Sequence, residues 1–367
     1  MTTTTTELTG SGAAPDAAPT PAGKRRGGGG LGTYLVIRFL LIFPTVFILV
    51  TTVFVLMRST GDPITAALGG RLTADELAAR VHEAGYDRPL LVQYWEYLGN
   101  LLHGDFGTAI SDRRPITEVF TTFGAATLEL TFFALIVAFL VGIPGGRLAA
   151  YFRDKWADAG LRVSAIFWYA TPPFFSGLLF KLVFAIWLGW LPVAGRASTG
   201  AEIQLQSVDN PTGFYVIDAL RLGNSEVTAD VLEHAVLPAL TLGLLTAGVF
   251  LRLVRTNVIG TLGMGYVEAA RSRGVPERRL LKKHAYRPAL IPIITVIGLQ
   301  IALLLSGAVL TETTFEWKGL GFQLVQYVKA RDFVAVQGIV VLLAVMVAVT
   351  NFIVDVIAAL IDPRVRY

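Results

Sequence analysis

The chain has 367 residues, of which 53% are hydrophobic, with a mean hydropathy of +0.59. So many long uncharged runs exclude a single soluble domain and predict an all-α polytopic membrane protein. The net charge of +4 is small, so its distribution carries the information. The absence of cysteine and the presence of four scattered histidines exclude a disulfide framework, a thiol nucleophile and an HExxH-type metal site.

Residues 1–32 are rich in Thr, Ala, Pro and Gly and cannot bury a core, so a disordered N-terminal extension is expected. Lys24, Arg25 and Arg26 precede the first apolar segment. Its run 39–57 is longer than a signal-peptide core, and no small-x-small site precedes Arg58. Residues 33–57 are therefore expected to be an uncleaved first membrane helix, kinked at Pro44. Residues 58–124 read as a partly helical segment on the far side, with an amphipathic stretch 73–86 opened by a Thr73 cap.

Five further spans complete a core domain over 125–362, leaving 363–367 as a tail. Residues 125–146 form the second span. The third, 163–191, is broken or bent at Thr171-Pro172-Pro173. After a loop at 195–233 come the fourth span at 235–251, the fifth at 289–311 and the sixth at 333–361. Lys and Arg concentrate at the N-terminus, in 147–162, in 252–287 and in the tail. The positive-inside rule therefore places both termini in the cytoplasm, and six spans return the chain to its starting side.

Charges near the spans are weighed individually. Glu129 is expected near an outer helix start, where the dipole favours it. Lys181, about 27 Å along a straight helix from Val163, is expected to snorkel to the far interface. Asp355 and Asp362 are expected in structural pairs. Trp168, Tyr169, Phe174, Phe175, Gln300 and Ser306 are candidates to line a translocation path, with ordinary helix packing as the competing reading. Gly298 and Gly307 permit close helix approach.

The most charged stretch, 266–287, lies between the fourth and fifth spans. It reads as two short helices broken at Gly274, a left-handed helix stop. Pro276 is expected at the first helical position, Glu277 in the first turn, and Lys282 and Lys283 in the last. On charge alone this is either a topology-fixing loop or a docking element.

The pattern Glu268-Ala269-Ala270, three residues, then Gly274 resembles the EAA loop of permease subunits of ABC importers. Glu277-Arg278-Arg279, His284-Ala285 and Ala289-Leu290-Ile291-Pro292 are similar to its dipeptide/oligopeptide/nickel branch. So are Asp87-Arg88-Pro89-Leu90, Gly104-Asp105-Phe106-Gly107, the segment from Phe315 to Gly321, and the C-terminal Asn351, Asp355 and Asp362-Pro363-Arg364. The sequence departs from that pattern at Tyr286, where leucine is usual, at Pro288, where a polar residue is usual, and at Lys318, where proline is usual.

The resemblance implies a type I ABC importer permease fold with six transmembrane helices. It implies that Glu268, Ala269, Ala270, Arg271, Arg273, Gly274, Glu277, Arg278 and Arg279 dock on an ATPase subunit, with lipid anchoring as the competing role for the arginines. The implied function is half of a translocation pathway for di- or oligopeptides in the cell membrane, with nickel or another small solute as the alternative. Implied partners are a homologous second permease forming a heterodimer, two ATPase subunits, an extracytoplasmic substrate-binding protein and membrane lipid. ATP and Mg2+ are expected on the ATPases and no cofactor on this chain, which lacks a GxxxxGK[ST] phosphate cradle and is not expected to be an enzyme. A secondary transporter would need inverted repeats or broken midplane helices around buried charges. A membrane enzyme would need converging reactive groups. Neither pattern is visible in the sequence.

Overall fold

The computed structural model describes the backbone of residues 31–361, and the side chains of all of these except 31, 283, 284, 287, 291, 292, 294, 295, 306 and 361. The extension expected at 1–32 thus lies almost wholly outside the described residues, as do Asp362, Pro363 and Arg364. The described residues are organised as helices, with one isolated bridge between Thr108 and Pro115.

The longest elements are α1 (Leu31–Ser59), α5 (Ile116–Tyr151), α10 (Ser225–Leu262), α13 (Tyr286–Phe315) and α15 (Phe333–Ile361). Four helices, α1, α5, α10 and α15, are by themselves long and apolar enough to cross a membrane. Two bent pairs raise the number to six if each is one span. One of these pairs is α6 (Trp156–Ala170) followed by α7 (Pro173–Phe180) and a π-helical turn through Trp187; the other lies within α13, bent by 43° before Gly307. At 1.5 Å per residue, the 36 residues of α5 and 38 of α10 reach roughly 54 and 57 Å, well beyond a hydrocarbon core of about 30 Å. The helix that carries the fourth span therefore begins earlier than expected, at Ser225, and residues 225–233, read as loop, are its first turns.

Proteins in lipid gain little from burying apolar groups against each other, so helices associate through close backbone approach. The centre of this fold follows that rule. On α5, Ala134, Ala138, Gly142, Gly146 and Ala150 recur every fourth residue and are all buried. They face Gly243, Ala247 and Leu251 of α10. A Cβ on Gly146 would sit 2.5 Å from the carbonyl oxygen of Leu251, and one on Gly142 2.7 Å from that of Ala247.

Sequence alone placed a break at Thr171–Pro173, and the structure turns the chain there by 105°. Pro172 and Pro173 remove two amide donors, so no helix continues through them. The bend also corrects the expectation for Lys181. Straight-helix rise does not apply across it, so the distance from Val163 no longer places Lys181. It is half-buried, donates from Nζ to the carbonyl of Thr314 at 2.8 Å and lies 5.6 Å from the Phe315 ring centroid, capping the end of α13.

Between α1 and α5 lies a lobe of three helices, α2 (Pro63–Leu68), α3 (Ala74–Glu83) and α4 (Leu90–Leu102). Thr73 caps α3 as expected and does so reciprocally. The Glu76 amide donates to its hydroxyl, and the Glu76 carboxylate accepts from the Thr73 amide at 3.0 Å, which holds that carboxyl below the usual range. The connection from α4 to α5 is tied to the last span by Asp332. This residue accepts from the Ser111 amide and hydroxyl and caps α15 through the Ala335 amide.

Candidate docking loop and buried polar lock

The loop after α10 starts with α11 (Gly265–Ser272), one face of which is buried. Val267 is fully enclosed with Leu280, Leu281 and Ala285 in the cluster that includes Phe250, Val254 and Val258 of α10 and Ala138 and Ala150 of α5. The helix ends in a Schellman motif. Gly274 adopts φ +80°, its amide donates to Arg271 and the Val275 amide donates back to Ala270. No Cβ contact would arise at Gly274, so the requirement is conformational: a left-handed residue with open space around it.

The second limb differs from expectation in two ways. Pro276 (φ −62°, ψ 144°) is the N-cap, so the first helical residue is Glu277. The second helix, α12 (Glu277–Arg279), does not end before the next span. It passes through a π-helical turn, Leu280–Ala285, directly into α13. Pro288, the family departure, supplies the cause. Its ring and missing amide disfavour regular i to i−4 bonding back to residue 284, and a widened turn immediately before it accommodates that. Lys282 and Lys283 therefore sit inside a continuous helix.

Arg271 links the two limbs. It donates from Nη1 to Glu268 at 2.7 Å, and from Nε and Nη2 to the two carboxylate oxygens of Glu277 at 3.2 and 3.1 Å. Glu277 first, and Glu268 to a lesser degree, raise the Arg271 pKa. Glu268, Ala269, Arg273, Glu277, Arg278 and Arg279 are exposed, and Ala270 is half-buried. The nine loop candidates therefore occupy one short, internally braced segment whose apolar side is fixed to the bundle.

The pathway candidates do not form such a group. Trp168 packs on Phe180, Tyr169 lies exposed beneath Arg252, and Phe174 and Phe175 are exposed on α7. Gln300 is buried in α13, and the Ser306 side chain lies outside the described residues.

The structure also assembles a buried polar lock that sequence reading missed. Glu129 is not at a helix start. It is the fourteenth residue of α5, buried, and pairs with buried Arg196 at 2.5 Å while accepting from the Val216 amide. Arg196 stacks on Tyr215 at 3.6 Å and donates to the Gly213 carbonyl. Close by in sequence, Thr127 donates to fully buried Glu312, which also accepts from the Phe322 amide. Trp317 donates to the Ala126 carbonyl and the Leu320 amide to the Thr127 hydroxyl. The segment from Phe315 to Gly321, read as a loop motif, thus seals α13 and α14 (Leu320–Lys329) onto α5. Lys318, the third departure, points to Glu202 at 3.8 Å. At the other end of the bundle, Arg255 of α10 grips buried Asp158 of α6 through Nε and Nη2 at 2.6 and 2.7 Å. Asp355 pairs with Arg38 of α1 at 3.5 Å, as a structural pair was expected to.

A bundle of apolar helices with long-range polar locks, carrying a braced, exposed charged loop between two spans, defines an integral membrane transport component. The chain belongs to the binding-protein-dependent transport system inner membrane component family, whose model matches residues 142–367; the model for that family's N-terminal portion matches 32–117. It is 36% identical over 337 residues to the di/tripeptide transport system permease protein DppB of Pseudomonas aeruginosa, covering 91% of this chain and 99% of that one. It is 40% identical over 306 residues to the probable D,D-dipeptide transport system permease protein DdpB of Escherichia coli, covering 83% and 88%. To the glutathione transport system permease protein GsiC of Salmonella choleraesuis it is 34% identical over 335 residues, covering 91% and 99%.

Proposed function

We propose that this chain is one of two permease subunits of an ABC importer for di- or oligopeptides, and that its docking loop receives the stroke of an ATPase subunit. The observation that carries the reading is the two-sided loop. One side, Val267, Leu280 and Leu281, is buried against the ends of α5 and α10, so displacement of the loop is transmitted to both helices. The other side offers Glu268, Ala269, Arg273 and Arg279 to a partner. ATP binding and hydrolysis belong to that partner. The peptide names of relatives that span nearly this whole chain support the substrate class over nickel. The distribution of Lys and Arg supports a cytoplasmic loop and cytoplasmic termini, with the α2–α4 lobe on the opposite side, where a binding protein delivers substrate.

The test is uptake of a labelled dipeptide into proteoliposomes holding the reconstituted complex. Uptake that requires the binding protein and internal ATP, and that unlabelled dipeptide but not nickel competes away, is expected. Uptake indifferent to ATP would contradict the reading. Orientation is checked separately, because the chain has no native cysteine: a cysteine replacing Arg278 should resist an impermeant thiol reagent in intact cells.

A further inference from the structure

Around the loop Arg271 is compensated by Glu268 and Glu277 and Arg255 by Asp158, whereas Arg252 lies over the Tyr169 ring and Arg273 and Arg279 stand exposed without a carboxylate among the described residues. Three further cations without a carboxylate partner are gathered around one cleft. The cleft, about 670 Å³, lies between the last turns of α5 and the second limb of the loop, and Arg147, Arg278 and Lys282 line it. None of the three makes an ion pair or hydrogen bond with a described residue. Arg147 is held over the ring of Tyr286, 5.4 Å from its centroid. Three like charges gathered without a counter-ion call for an anion.

The walls identify the kind of anion. Arg147 directly follows the uncharged run 130–146, so the cleft opens at the edge of the hydrocarbon layer. From there Leu148, Pro144, Leu140 and Ile136 continue along α5 at four-residue spacing, all exposed, on the side of the helix away from the buried Ala/Gly stripe. Cations thus sit at the head of an exposed apolar track along α5. Basic pockets between spanning helices suit phospholipid head groups, and guanidinium pairs with phosphate oxygens in two-point fashion.

We infer that this cleft seats the phosphate of an anionic phospholipid, its acyl chain lying along α5, so that Arg278 serves the lipid and the exposed face of α11 serves the partner protein. The lipid then bridges the spanning helix α5 and the docking loop at the point where Lys282 enters the continuous helix. The inference rests on the loop lying at the membrane surface and not on the identity of the docking partner.

The full transporter complex, purified in detergent, is titrated with phosphatidylglycerol and, separately, phosphatidylcholine, and bound lipid is counted by native mass spectrometry. One phosphatidylglycerol per copy of this chain is expected, with phosphatidylcholine much weaker. In Arg147→Gln/Lys282→Gln its retention should fall about thirtyfold, the effect of removing two surface cations from an anionic lipid. The charge-conserving Arg147→Lys/Lys282→Arg should keep it, which separates loss of charge from misfolding. Equal retention in wild type and the Gln variant would overturn the inference, as would equal binding of phosphatidylcholine. Displacement of the lipid by millimolar inorganic phosphate would make this a free-anion site. Loss of ATPase subunits from the Gln variant would assign the cleft to protein docking instead. Lipid retention that is intact in a complex whose loop fails to couple would overturn the proposed function alone.

Discussion

Arg271 holds Glu277 in a two-point hydrogen bond across Gly274, so the two limbs of the charged loop are braced by a single guanidinium that also reaches Glu268. The brace is exposed to solvent, which screens it, so it adds little to global stability. It sets the local geometry of the loop, while the fold is held elsewhere.

Glu277→Gln should therefore lower hydrogen-exchange protection at the Gly274 and Val275 amides by about fivefold at most. The apparent Tm of the complex should stay unchanged. A large fall in Tm would show that the pair supports the bundle itself.

Arg196 and Glu129 behave differently because both are buried. Arg196→Met leaves Glu129 as an uncompensated buried charge and should cost about 3–5 kcal/mol. The double variant Glu129→Gln/Arg196→Met removes both charges and should recover much of that loss in thermal unfolding of the purified complex. A double variant no better than the single one would show that stacking of Arg196 on Tyr215 outweighs the ion pair.

The α5–α10 contact depends on missing side chains. Gly146→Ala places a methyl 2.5 Å from a backbone oxygen and should destabilise by about 1–3 kcal/mol. Gly99→Ala, in α4 with nothing within 4 Å of its added methyl, should be neutral or stabilise by up to about 1 kcal/mol. Equal effects in thermal unfolding would mean that the close approach of α5 and α10 is not required.

How far sequence reached follows from the range of the interactions. Thr73, Gly274 and the Thr171–Pro173 break act through neighbours in the chain, and each was legible. The Ala134–Ala150 stripe on α5 is equally local, a four-residue repeat of small residues. The partners of Glu129 and Glu312 lie 67 and 185 residues away, and no local pattern marks them. Glu129 was misplaced because the helix was started at its apolar run, whereas α5 begins at Ile116, where Pro115 precedes it. The pathway residues stayed unresolved for another reason. Tyr169, Phe174 and Phe175 are exposed on separate helical faces, Gln300 is buried, and no shared cavity joins them among the described residues.

In the proposed mechanism the exposed face of α11 transmits force from a partner. This is tested by substrate-stimulated ATP hydrolysis and by ATPase-subunit pull-down in reconstituted complexes carrying Glu268→Lys or Gly274→Val. Glu268→Lys puts a cation beside Arg271 and reverses the charge offered to the partner. Gly274→Val forces a β-branched residue to φ +80°, a strain of roughly 1–3 kcal/mol that is relieved by disordering the limb after it. Both lie outside the spans, so membrane insertion should be normal while stimulation and pull-down are lost. Wild-type stimulation and pull-down in both variants would contradict the account and leave the loop as a charged anchor of topology.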